Sequence, residues 1–143
     1  GGDWGSALEW REVEDGDHVV VGELALGFSR TDHPPPTMAV EFTGGDGKRL
    51  VYTADTGPAW SVEAFGRDVH LVLSEATLHR SQEGRTSHLS ARQAGAAARA
   101  AGARALLLTH LWPGLDPVGS VEDGSEAFGR PVRLAAPGAV VRV

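Results

Sequence analysis

Cysteine is absent from all 143 residues, which removes disulfides, thiolate nucleophiles and sulfur-rich zinc sites together. Any metal must therefore be held by His, Asp or Glu. Basic charge is scarce as well: 13 Lys and Arg stand against 19 Asp and Glu, and the net charge is −6. Scattered cations on an acidic chain argue against a broad phosphate-backbone footprint, so extended nucleic-acid binding is disfavoured. No apolar stretch approaches the roughly 20 residues that cross a bilayer, and the start shows no basic-then-apolar leader. The expectation is a soluble, cytoplasmic protein without a membrane partner. The richness in Ala, Gly and Arg matches a high-GC bacterial coding bias.

At 41 % apolar, the chain is long enough for a single domain, 1–143, that buries roughly 70 % of its unfolded surface. Residues 1–17 are rich in Gly and acids, with Trp4 and Trp10 as the burial candidates. Alternation from His18 to Arg30 predicts two short strands around a turn at Gly22. Pro34, Pro35 and Pro36 force extended loop around His33. Met38 to Thr43 and Arg49 to Thr53 read as a hairpin, because Asp46-Gly47 between them supplies the positive φ that tight turns demand.

Beyond the hairpin, short apolar runs alternate with helices, the pattern of βαβ units on a parallel sheet. Pro58 opens a short helix that Gly66 closes, and Val69 to Leu73 forms a buried-type strand. A Ser, Arg and Gly-rich loop, His79 to Ser87, leads to a capping box of Ser90 and Gln93 that starts an Ala-rich helix ending at Gly102. Ala105 to Thr109 is another buried-type strand. Asp116-Pro117 then begins a helix diluted by Gly119 and Gly124, and Val132 to Leu134 and Ala139 to Val143 finish the chain as edge strands.

His33, Asp55 and His110 each stand just past an apolar strand-like run. Ligands gather beyond the carboxyl ends of strands in α/β sheets, so the three converge if those strands are neighbours. Imidazole and carboxylate suit zinc, manganese or iron, and an Asp can give one oxygen to each of two ions. The residues alone leave two other readings open: a strand-end His as a hydrogen-bonded loop residue, and Asp55 as a helix cap. His18, His70 and His79 are expected in surface or structural roles.

Four segments in register carry more: Tyr52-Thr53-Ala54-Asp55-Thr56-Gly57, Leu73-Ser74-Glu75-Ala76-Thr77, Ser87-His88-Leu89-Ser90-Ala91 and Leu108-Thr109-His110-Leu111, with His33-Pro34 upstream. From about Trp10 to Val143 they resemble the C-terminal half of the metallo-β-lactamase superfamily, on the branch that includes tRNase Z and bacterial phosphodiesterase-like proteins. The resemblance implies an α/β fold, half of an αββα sandwich in which antiparallel strands precede βαβαβ units. It implies a hydrolase of ester bonds, most of all phosphodiesters, with two zinc ions in the intact site. His33 would bind one metal, His110 the other, and Asp55 would bridge them. His88 would serve phosphodiester cleavage as proton donor or phosphate contact, and Glu75 would orient His88.

The sequence departs from that pattern at three places. Ala54 replaces the usual Gly before the bridging Asp, a change expected to cost little, and Ser74 stands where a His is common. The His-x-His-x-Asp-His loop that supplies the remaining ligands is not in these residues. This chain alone is therefore expected to be inactive or impaired. It is also expected to expose an apolar sheet face needing a partner, either the missing N-terminal half or a second copy in a homo-oligomer. Only 21 residues separate His33 from Asp55, which leaves no room for an RNA-gripping arm and favours a small phosphodiester. The alternatives are a non-catalytic assembly half with an incomplete metal site, or a lactam or lactone hydrolase.

Overall fold

The computed structural model describes residue 5 and residues 7–143. Seven strands form one mixed sheet in sequential order: β1 (His18–Val21), β2 (Leu24–Arg30), β3 (Met38–Thr43), β4 (Arg49–Tyr52), β5 (Leu71–Glu75), β6 (Ala105–Thr109) and β7 (Arg133–Leu134). Neighbours pair antiparallel from β1 to β4 and parallel from β4 to β7. Because β2 and β4 are each antiparallel to β3, they run the same way as β5 and β6. The C-terminal ends of β2, β4, β5 and β6 thus share one rim.

Two helices, α1 (Ala91–Ala100) and α2 (Pro117–Phe128), supply the β5–β6 and β6–β7 crossovers and cover one face of the sheet. Val51, Val72, Leu106 and Leu108 from that face form the core with Ala91, Ala94 and Ala98 of α1 and Phe128 of α2. The capping box at Ser90 is present: its hydroxyl accepts from the Gln93 amide, and the Gln93 side chain accepts from the Ser90 amide. Asp116 caps α2, with Pro117 in its first turn, and Gly129 ends it at φ 79°.

Gly124 proves to be a packing residue and not a weak point of α2. A Cβ on Gly95 would stand 2.5 Å from the Gly124 carbonyl, and one on Gly124 3.2 Å from Leu108. The glycines let α1, α2 and β6 approach closely, a gain that outweighs the roughly 1 kcal/mol propensity penalty of Gly in a helix.

Four sequence expectations are corrected. The segment after Pro58 makes only a 3-10 turn, Val62–Phe65. Its entry is tied elsewhere, since Gly57 donates to the Asp32 carbonyl and Ala59 to the Asp32 carboxylate. The run at Val69 forms strand only from Leu71, through Glu75. Residues 139–143 form no strand; they lie against the sheet instead, Ala139, Val140 and Val141 walling a cavity with Leu71, Leu73 and Leu107. Trp10 is 81 % exposed, in a coil segment with no strand or helix to hold it against the core. Trp4 lies outside the described residues.

The sheet face opposite the helices is apolar and only partly covered. Alternation puts Leu26, Phe28, Val40, Phe42, Leu50 and Leu73 there, all part-buried, beside exposed Val21, Leu24 and Tyr52. Among the described residues no helix is long and apolar enough to cross a membrane.

The loop between β5 and α1 is pinned by one carboxylate. Glu83 accepts from the Ser90 hydroxyl at 2.6 Å and from Arg92 Nε at 2.9 Å. The Arg92 guanidinium holds the Glu83 carboxyl below its ordinary range. A depressed carboxylate contributes stability that is present above the ordinary value of 4.5 and lost as pH falls through the folded value. Backbone amides of residues 83–87 are therefore expected to broaden in NMR spectra on acidification below that value, whereas Glu83→Gln should show the broadened state already at neutral pH.

Candidate metal centre

The shared rim gathers the five residues that the sequence singled out. Asp55 follows β4, Glu75 ends β5, His110 follows β6 and His33 lies in the loop after β2. His88 stands three residues before α1. The Asp55 carboxylate faces a different histidine with each oxygen: Oδ1 is 3.1 Å from His110 Nδ1, and Oδ2 is 4.0 Å from His33 Nε2. The His88 ring sits between, its centroid 5.0 Å from that of His33 and 5.9 Å from that of His110.

Hydroxyl groups aim these rings. The Thr37 hydroxyl donates to the Pro35 carbonyl, so toward His33 Nδ1, 3.3 Å away, it is an acceptor. The His33 tautomer then carries its proton on Nδ1 and leaves Nε2 as the free donor atom. Buried Thr77 treats His110 the same way, donating to its carbonyl and accepting from its Nδ1, each at 3.0 Å. Thr31 joins two ligand loops by donating to the Asp55 carbonyl at 2.8 Å. These threonines were not singled out from sequence; a Thr beside or between rim residues is too common to mark a site.

Glu75 is 1 % exposed and fully engaged. Oε1 accepts from His88 Nδ1 at 2.7 Å and from the Thr56 amide at 2.9 Å. Oε2 accepts from the amides of Thr77 and Leu89, at 3.1 and 3.2 Å. A carboxylate has about four lone-pair positions, and all four are used. Glu75 is therefore an orienting residue and not a ligand, although its oxygens lie within 4.8 Å of donor atoms on His88 and His110. With Nδ1 donating to Glu75, His88 presents Nε2 to the rim.

Backbone strain concentrates here. Ala54 and His110, on either side of the site, adopt φ of 49° and 54°. In that region an alanine costs roughly 1–2 kcal/mol, so the replacement of glycine before Asp55 is less neutral than the sequence suggested. Ala54→Gly is expected to stabilise the chain by about 1 kcal/mol in urea unfolding while leaving metal binding unchanged.

The remaining histidines have structural partners. His70 Nδ1 accepts from the Arg49 amide, His79 caps the turn Arg80–Gln82, and exposed His18 meets the Gly16 carbonyl. Near the rim, burial first, then the charges of Asp55 and Glu75, raise the Tyr52 phenol above its ordinary value, so it stays protonated.

Donor atoms of His33, Asp55 and His88 lie within 4.8 Å of one another, and Asp55 Oδ1 also faces His110 Nδ1, whose proton leaves Nε2 as that ring's metal-binding atom. Imidazole nitrogens around a carboxylate with both oxygens directed at histidines fit a divalent metal of the zinc, manganese or iron type. A rim of this composition stands at the carboxyl ends of a partly parallel sheet, where ligands gather in α/β folds.

The chain belongs to the beta-lactamase superfamily, whose domain model matches residues 3–111. YhfI of Bacillus subtilis, named as a metallo-hydrolase, is 36 % identical over 94 residues, covering 65 % of this chain and 38 % of its own length. The crystal structure of YhfI, a metallo-β-lactamase fold protein, superposes with a TM-score of 0.80 at 27 % identity, over 89 % of this chain and 52 % of that one. Ribonuclease Z of Myxococcus xanthus is 35 % identical over 102 residues, 68 % of this chain and 33 % of the enzyme. The chain thus spans about a third to a half of the curated relatives it matches.

Proposed function

We propose that the protein to which this chain contributes hydrolyses small phosphodiesters at a two-zinc centre, with His33 and His110 binding one ion each and Asp55 bridging them. The carrying observation is the Asp55 carboxylate between two histidines, with a third, His88, fixed beside them by a buried glutamate. Bound zinc supplies Lewis-acid polarisation and lowers the pKa of water. His88 supplies the proton. Glu75 holds its Nδ1, so its Nε2, when protonated, donates to the leaving oxygen, and Glu75 stabilises the imidazolium before transfer.

The relatives that are ribonucleases support phosphodiester chemistry. The span from His33 to Asp55 is taken up by the β3–β4 hairpin and a short loop, which favours a compact substrate over a folded RNA. The bacterial relatives fit a cytoplasmic setting. In this reading, the other ligands come from a His-x-His-x-Asp-His loop on a second half-sandwich whose sheet covers the apolar face opposite the helices.

Metal analysis and hydrolysis of bis(p-nitrophenyl) phosphate test the proposal. Zinc bound by the purified chain and lost in His110→Ala, together with full activity only when the His-x-His-x-Asp-His half is present, is the expected result. No activity and no zinc in the two-half protein overturns it in favour of a non-catalytic assembly role.

A further inference from the structure

The loops that carry His88 and His110 also wall a cavity that the metal centre does not use. It measures about 610 Å³, is open to solvent, and is lined by Ser81, Gln82 and Arg85 on one side and Trp112 and Leu115 on the other. Such a volume suits a small ligand. Trp112 is 66 % exposed, an unusual state for the largest apolar side chain. At no more than about 3.6 Å per residue, its Cα lies within about 7 Å of that of His110, and the Arg85 Cα within about 11 Å of that of His88.

The charges lining the cavity single out one cation. Asp116 spends its carboxylate on the amides of Val118 and Gly119, so the α2 N-terminus offers no free donor there. His79 is occupied in capping its own turn. Among the described residues no carboxylate pairs with Arg85, whereas nearby Arg80 and Arg92 face Asp123 and Glu83.

We infer that this cavity is a specificity subsite in which Trp112 stacks on a planar aromatic group of the substrate and Arg85 meets the phosphate that carries it. The inference rests on the phosphodiester reading above and adds the chemistry of the substituent. An indole face accepts an aromatic ring without demanding a particular one, and guanidinium matches phosphate through paired N–H groups. An aliphatic ester gains nothing from the stack.

Calorimetric titration of the full chain, with and without zinc, tests it, using inorganic phosphate, hexyl phosphate, phenyl phosphate and adenosine monophosphate as probes. Phenyl phosphate and adenosine monophosphate should bind more tightly than the other two. Trp112→Ala should weaken only those two, roughly 5- to 100-fold, and Trp112→Phe should restore most of the loss. Arg85→Gln should weaken all four. If the aromatic esters bind no better than hexyl phosphate, or Trp112→Ala leaves them unchanged while inorganic phosphate still binds, the subsite is wrong and the phosphodiester reading stands. If no phosphate compound binds the chain under either condition, the subsite is wrong, and the phosphodiester reading is decided separately by hydrolysis in the two-half protein. Because Trp112 is exposed, its replacement leaves the core intact, which the unfolding midpoint checks.

Discussion

Glu75→Gln should lower the unfolding free energy by about 2–4 kcal/mol, the cost of leaving one or two buried N–H groups without an acceptor. The carboxylate accepts four hydrogen bonds, two at each oxygen, while almost wholly excluded from solvent. Glutamine keeps one carbonyl oxygen and turns the other position into a donor. Turned toward Thr77 and Leu89, that donor meets two amides. Turned the other way, it meets the Thr56 amide and His88. Either orientation leaves buried N–H groups unpaired, at roughly 1–3 kcal/mol each.

The three amides lie on the segments that carry or hold Asp55, His110 and His88, so the damage reaches the site itself. Urea unfolding at neutral pH measures the first effect. Nitrogen chemical shifts of His88 measure the second, as mixed tautomers in place of the single form with Nδ1 protonated. A variant within 1 kcal/mol of the parent would mean that the glutamate does not organise the rim.

Asp55→Asn is expected to act on metal and not on the fold. The Asp55 backbone carbonyl, which anchors Thr31, survives the change, and the side chain is part-exposed, so apo stability should stay within about 0.5 kcal/mol. Zinc affinity should fall by more than roughly 100-fold, since even an outer-shell partner of a metal ligand is worth about 10–100-fold. At a zinc concentration 100 times the parental dissociation constant, the parent gains about 2.7 kcal/mol from binding and the variant little of it. Thermal unfolding with and without zinc reads the difference directly. If zinc stabilised the variant as much as the parent, Asp55 would not be a ligand, and its place between two histidines would need another explanation.

Much of this architecture was legible in the chain. The succession of strands along the chain, the hairpin at Asp46-Gly47, the parallel half and the cap at Ser90 each follow from local chemistry: a positive φ, an apolar period, a side chain that reaches an amide. The failures share one cause. Pro58 resembles a helix start, yet Asp32, 27 residues from Ala59, binds the Gly57 and Ala59 amides and ties that segment to another loop, and only the 3-10 turn Val62–Phe65 forms. Gly124 resembles a defect in α2 until Gly95 is seen against it. Residues 139–143 have a strand's composition, yet Ala139, Val140 and Val141 wall a cavity with Leu71, Leu73 and Leu107 in place of a ladder.

The candidate site divides along the same line. Residue type and position beyond apolar runs picked out His33, Asp55 and His110 as ligand-like, and the motif resemblance added His88 and Glu75. Nothing local showed that Thr77 holds His110, that Glu75 is saturated by four donors, or that Trp112 and Arg85 face one cavity. Sequence by itself determined what each segment could become, because turns, caps and amphipathic periods are set by residues a few positions apart. Tertiary structure alone decided which polar groups meet, because a hydrogen bond between loops depends on the register of strands that pair across dozens of residues, and no local preference encodes that distance.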